Sequence, residues 1–249
     1  MSGIWQSCAD RVSPATLAGT LLRMVESQEE IATNALVDTL EEQAALEYLL
    51  DATKPRRSGL DDLHYLLATP FRYPPLRHGS RFGRRFEPSL FYGSMHPQTL
   101  LSEAAYYRFV FAAGPVEPFP KPLLTRHTAF SANFRTTRGL RLETAPFSEH
   151  RAALTSPVDY SATQALGTAM REHGIEAFTF TSARDPDGGL NGALFTPAAL
   201  AGRAPRTQTP WTCETTPERV TWRRYGAHSV VTIAREIFLV DGVLPAPAV

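Results

Sequence analysis

FRYPPLRHGSRFGRRFEPSLFYGSMHPQTLLSEAAYY, residues 71–107, carries more information than any other stretch of the chain. Arg72, Arg81, Arg84 and Arg85 run, among several aromatic residues, into an apolar segment that ends at Tyr92. Residues 89–92 read as a short strand, because apolar and aromatic side chains bounded by turn formers fit a pleated surface. A turn through His96 and Pro97 follows. Leu100, Ala104, Tyr107 and Phe111 then recur at helical spacing, which predicts a helix over 100–110. Glu103 falls on or beside the inward face of that helix, near its start, where the helix dipole favours a carboxylate.

Upstream, residues 14–51 read as helical. Leu17, Leu21, Leu22, Met24 and Val25, then Ile31, Leu36, Leu40, Leu46, Leu49 and Leu50, follow a helical period, and Ser13-Pro14 is a good helix start. Such a helical extension over 1–60 would pack on a main domain over 61–249, or offer a surface to a partner or a second copy. Residues 54–59, KPRRSG, break the pattern as a connector. Downstream, 112–128 is proline-rich and predicts an exposed excursion. Strand-like pieces follow around Phe130 and Phe134. Asp159-Tyr160-Ser161 opens a helix that ends at Gly174. Residues 176–181 alternate as a strand, 182–189 form a loop and 191–195 a second strand. Two more strands are expected over 219–224 and 229–234. Segregated helices and short strands place the chain in the α+β class.

Composition narrows the function classes. The chain has 249 residues with 25 basic and 25 acidic side chains, so a general nucleic-acid binder, which needs a basic excess, is disfavoured. Its two cysteines, Cys8 and Cys213, lie far apart and outside any metal-like spacing. No run of about 18 apolar residues predicts a membrane span, and no leader pattern opens the chain. A cytoplasmic protein with reduced thiols is the simplest expectation. The sequence lacks a Walker loop, a Rossmann glycine fingerprint, an HExxH pair and a Gly-x-Ser-x-Gly elbow. What remains is a set of arginines, tyrosines, a glutamate and a serine. Guanidinium groups suit phosphate, rings suit a flat base, and a carboxylate suits a ribose hydroxyl or a developing positive charge. Together they complement a dinucleotide such as NAD undergoing cleavage.

Arg72-Tyr73, Gly79-Ser80-Arg81-Phe82, Leu90-Phe91-Tyr92 and Leu100-Leu101-Ser102-Glu103 occur in that order. They are followed by Asp159 to Gly167, DYSATQALG, then Thr181 to Pro186, TSARDP, and Asn191. In order and spacing these segments resemble the RES-domain family, toxins of bacterial toxin–antitoxin pairs. The resemblance covers about residues 65–200. It implies an ADP-ribosyltransferase-like RES fold with mixed small sheets flanked by helices. It also implies degradation of NAD, with phosphate or water as acceptor, giving nicotinamide and ADP-ribose 1″-phosphate or ADP-ribose. NAD and inorganic phosphate are then substrates, and no resident cofactor or metal is expected. A cognate Xre-type antitoxin is the implied partner. By position, Arg81, Glu103 and Ser182 match the catalytic residues, and Arg72, Tyr73, Tyr92 and Asn191 match substrate-binding positions. Where the family often has Gly-Gly-Arg-Trp, this chain has Gly79-Ser80-Arg81-Phe82.

The residue types fit the implied chemistry. Breaking the nicotinamide–ribose bond passes through an oxocarbenium-like sugar, and Glu103 would stabilise it. Nicotinamide leaves as a neutral group, so no proton donor is required. Ser182 has no adjacent His base and fits an orienting role better than attack. Plainer readings stand beside these. Tyr73 and Tyr92 also suit core positions, Arg84 and Arg85 suit a solvated face, Arg184-Asp185 suits a local ion pair, and Asn191 suits a turn. Transfer of ADP-ribose to a macromolecule, or nucleotide binding without catalysis, are the alternative functions.

Overall fold

Residues 3–27, 39, 41, 42, 45, 46, 49, 59–73, 75, 77–117 and 119–246 are described by the structure, a computed structural model. The strands are β1 (Ala15–Glu26), β2 (Phe91–Ser94), β3 (Leu123–Arg141), β4 (Ala177–Thr181), β5 (Leu190–Leu194), β6 (Thr207–Thr215), β7 (Arg219–Arg224) and β8 (Val230–Ala234). They form one sheet in the order β1-β2-β5-β4-β3-β6-β7-β8, and β1 pairs with β3 as well. The first five strands in that order therefore close into a ring. β6, β7 and β8 continue from the N-terminal half of β3 as a wing. The β3–β4 pairing is parallel and the others are antiparallel.

Helices α1 (Ile4–Cys8), α2 (Tyr65–Arg72), α3 (Pro97–Ala112), α4 (Arg151–Leu154) and α5 (Ser161–Glu172) cover this sheet. The period of two along each strand sorts side chains between two faces. On one face Leu17, Leu21, Phe91, Phe130, Phe134, Ala177 and Leu194 pack together, plugged by Leu66, Leu67 and Phe71 of α2. The alternate residues Phe178, Phe180 and Ala193 pack with Phe82, Leu154, Leu166 and Met170 on the other face. A third cluster seats Leu101, Ala105, Tyr106 and Phe109 of α3 on Cys213, Val220, Trp222 and Ile233 of the wing. The ring closes tightly. A Cβ at Gly192 would stand 2.7 Å from Leu21 Cδ2, and one at Gly93 2.8 Å from Leu21 Cβ. These two glycines, paired across β2 and β5, admit the Leu21 side chain.

The N-terminal reading is corrected by β1. Residues 15–26 form a strand rather than part of a helical extension over 1–60. The buried residues Leu17 and Leu21 lie four apart, a spacing that satisfies a helix and a strand alike. Pairing with β3 from His127 to Gly139 decides between them. Glu41, Glu42, Ala45, Leu46 and Leu49 are helical as expected, while 28–38 fall outside the described residues. The excursion ends earlier than 128, because β3 begins at Leu123. β6 had no counterpart in the sequence reading, since Pro210 and its polar neighbours mask it. The other strands and the helices over 97–112 and 161–172 match expectation to within a few residues. Among the described residues no helix is long and apolar enough to cross a membrane.

His127 of β3 is buried against Trp222, their ring centres 5.1 Å apart, and its Nε2 lies 2.8 Å from Thr125 Oγ1. Burial, and next the Arg108 guanidinium, lower its pKa from 6.5 to about 4. The unfolded chain takes up a proton near the ordinary value while the folded protein does not. The stability from a neutral His127 is full above pH 6.5 and is lost as pH falls from there through about 4. Its size is at most about 3 kcal/mol. His127→Gln should flatten the fall in melting temperature between pH 7 and pH 4.5, measured by circular dichroism at several pH values.

Candidate active site

Glu103 projects from α3 toward the ends of β4 and β5. Its Oε1 accepts hydrogen bonds from Ser182 Oγ and from Asn191 Nδ2, both at 2.6 Å. Asn191 is paired in register with Ser94 across β5 and β2, and its Oδ1 accepts from Ser94 Oγ at 2.7 Å. Ser182 Oγ in turn accepts from the backbone N–H groups of Arg184 and Asp185, each at 3.0 Å. Ser94, Ser182 and Asn191 are all buried. One carboxylate oxygen is thus fixed by a satisfied polar network, whereas Oε2 has no hydrogen-bond partner among the described residues. Ser182 donates its hydroxyl proton to Glu103 while accepting two backbone N–H groups, an arrangement that fits an orienting role.

Helix α3 begins at Pro97, earlier than the predicted 100, with proline in its first turn. Glu103 consequently sits in the second turn, beyond the free N–H groups of the helix start. Side chains, rather than the helix dipole, supply its partners. The loop that brings Ser182 to it is anchored on the same helix. Thr99 Oγ1 donates to Asp185 Oδ2 at 2.7 Å, and a Cβ at Gly189 would meet that Thr99 oxygen at 2.0 Å.

Arg81 lies on a tight turn in which Ser80 and Gly83 bridge and Gly79 has φ of 73°. Tyr92 Oη accepts from the Phe82 N–H at 3.0 Å and bonds Ser80 Oγ at 2.9 Å. Gln164 Nε2 donates to the carbonyls of His78 and Ser80, both at 3.1 Å. The segment DYSATQALG therefore buttresses the arginine turn from α5. Arg81 itself donates to the Ser156 carbonyl at 2.8 Å and stacks on Tyr160, 4.3 Å from the ring centre. Burial pushes the Tyr92 hydroxyl up to about 12, opposed by its bonds to Ser80 and Phe82, so it stays protonated and committed to the turn.

Arg72 and Tyr73 end α2. Arg72 Nε is buried without a hydrogen-bond partner among the described residues, and Tyr73 is 41% exposed. No hydrogen bond or ring contact joins either to Glu103 among the described residues. Arg85 is exposed, as a solvated face requires, whereas Arg84 is half-buried. Arg184 and Asp185 do not form the expected local ion pair. Asp185 bonds Thr99, while Arg184 turns away to Tyr160 Oη at 3.0 Å and to the Pro157 carbonyl at 2.9 Å. Its guanidinium covers Tyr106, 3.6 Å from the ring centre. Burial pushes the Tyr106 hydroxyl up to about 12, with Arg184 opposing. The Tyr107 hydroxyl is also raised, by the protein packed around it and next by Tyr160 and Glu103, although its ring is half-exposed.

Five residues escaped the sequence reading as site members: Arg23, Tyr106, Tyr107, Tyr160 and Arg184. Arg23 of β1 donates to the Tyr92 carbonyl at 2.8 Å, and burial lowers its pKa to about 10. It was hidden in a presumed helix. Tyr160 and Arg184 stood inside motifs already recognised, which was the available signal. Among the described residues no cluster of three or more His, Cys, Asp or Glu side chains is placed to hold a metal ion.

Residues 54–219 match the family model for the RES domain, and the chain belongs to that family. No curated protein matches the sequence. Among solved structures, the chain is similar to one in the crystal structure of the M. tuberculosis MbcT–MbcA toxin–antitoxin complex. Identity is 14%, the match covers 87% of this chain and 94% of that chain, and the TM-score is 0.46.

The buttress can be tested apart from any activity. A Cβ at Gly167 would lie 2.0 Å from the Phe82 carbonyl oxygen. Gly167→Ala should destabilise the fold by about 1–3 kcal/mol, read as a lower denaturation midpoint. Ala165→Ser on the exposed side of the same helix should change stability by less than about 0.5 kcal/mol.

Proposed function

We propose that the chain is an NAD-degrading enzyme and the toxin of a toxin–antitoxin pair. The observation that carries this reading is the Glu103 carboxylate, held through one oxygen by Ser182 and Asn191 while the other has no hydrogen-bond partner among the described residues. RES-domain membership and the match of motif residues to that family support the substrate. Glu103 Oε2 would accept a hydroxyl of the nicotinamide-bearing ribose and face the positive charge that develops at its anomeric carbon. The carbon–nitrogen bond breaks with its electron pair going to nicotinamide. An oxygen of phosphate or water forms the new bond at that carbon. Arg81 contributes positive charge beside the site, and the half-exposed Tyr107 offers a ring for stacking. Ser182 and Asn191 hold the carboxylate in one orientation, so little reorganisation remains for the reaction.

Incubation with NAD should release nicotinamide, resolved by chromatography, with ADP-ribose 1″-phosphate appearing when phosphate is supplied and ADP-ribose when water reacts. Glu103→Gln should lower the rate by about 10²–10³. Ser182→Ala should lower kcat by about 10² with a smaller change in KM, because it frees the carboxylate rather than removing it. Intact NAD after prolonged incubation of the protein without antitoxin defeats the proposal. Label from NAD appearing on a macromolecule would instead identify an ADP-ribosyltransferase.

A further inference from the structure

Arg184 is 4% exposed, yet no carboxylate pairs with it among the described residues. Its Nη2 is satisfied by Pro157 and Tyr160, whereas its Nη1 is buried with no hydrogen-bond partner. Arg108, also buried, has Glu26 at 3.2 Å. A buried guanidinium donor left unmatched is destabilising, and buried charges are ordinarily paired or held in a hydrogen-bond network. A second guanidinium lies on the same aromatic ring. Arg81 covers the face of Tyr160 while Arg184 holds its hydroxyl, and Arg81 has no ion pair among the described residues either. The carboxylates close by are engaged elsewhere, Glu103 Oε1 with Ser182 and Asn191 and Asp185 Oδ2 with Thr99. Two cations that share one tyrosine and lack an anion form half of an ionic arrangement.

We propose that Arg184, through Nη1 and together with Arg81, forms the seat of a phosphate-type oxyanion beside Glu103. The donor is already stripped of water and its plane is fixed by Tyr106, so an entering anion meets a preorganised partner. The anion is either inorganic phosphate or a phosphate group of the dinucleotide. The proposal rests on the NAD-cleavage reading only for that choice of source.

Binding of inorganic phosphate and of ADP-ribose to the full chain is measured by calorimetry, with no turnover needed, alongside KM for NAD and for phosphate. Arg184→Gln should weaken phosphate alone by at least about tenfold if inorganic phosphate is the ion, or weaken ADP-ribose and raise KM for NAD if the dinucleotide is. Either result supports the seat. Wild-type affinity for both ligands in a folded Arg184→Gln protein overturns it, as does a fall in kcat with both affinities unchanged. Should Arg184→Gln fail to fold, Arg184→Lys is read in its place. Lysine lacks the forked donors, so binding should weaken at least about fivefold, and no loss overturns the seat. Arg184-dependent phosphate binding in a protein that never releases nicotinamide would sink the NAD reading and leave the seat standing.

Discussion

The pairing of β1 with β3 is the constraint from which the rest of the structure follows. It turns an open sheet into a ring, with β1 seated between β2 and β3. Without it the facing edge of β1 and residues 132–138 of β3 would have no strand partner, and one face of the ring would lose Leu17 and Leu21 from its core. The closure on the β2 side is slight in backbone terms, with Leu22 registered on Ser94. Arg23 reinforces it by donating to the Tyr92 carbonyl and covering the Phe91 ring at 5.4 Å. The strand that closes the ring also steadies β2, and β2 carries both Ser94, which orients Asn191, and Tyr92, which holds the Arg81 turn.

Polar groups at the site obey two different rules. Around Glu103 every buried partner is satisfied in a chain from Ser94 through Asn191, and from the backbone of the 182–189 loop through Ser182. Such a network is rigid because loosening any member strands a buried donor or acceptor. Around Tyr160 the opposite holds. Arg81 and Arg184 are fixed by stacking and carbonyl contacts, with no opposing carboxylate among the described residues. A rigid carboxylate beside under-compensated cations gives the site an uneven field. One side favours positive charge and the other negative charge.

Legibility followed the local character of each signal. The helix bearing Glu103 and the strands over 177–181 and 190–194 were readable because their apolar periods differ clearly from one another. β1 was not, since Leu17 and Leu21 fit either period, and β6 was not, since its pairing with β3 outweighs a proline that argues against a strand. Of the positions singled out in advance, Glu103, Ser182 and Asn191 are joined by direct hydrogen bonds. Tyr92 serves the turn beneath Arg81, and Arg72 and Tyr73 stand apart at the end of α2.

By itself the sequence determined the class of the domain and the family and singled out Glu103, because motif order and residue chemistry are properties of the chain alone. Tertiary structure decided which atoms meet. It closed the ring with an N-terminal strand, gave Arg184 to Tyr160 rather than to its neighbour Asp185, and left one oxygen of Glu103 open. Those outcomes depend on contacts between residues far apart in the chain, set by register and side-chain packing, which no local pattern encodes.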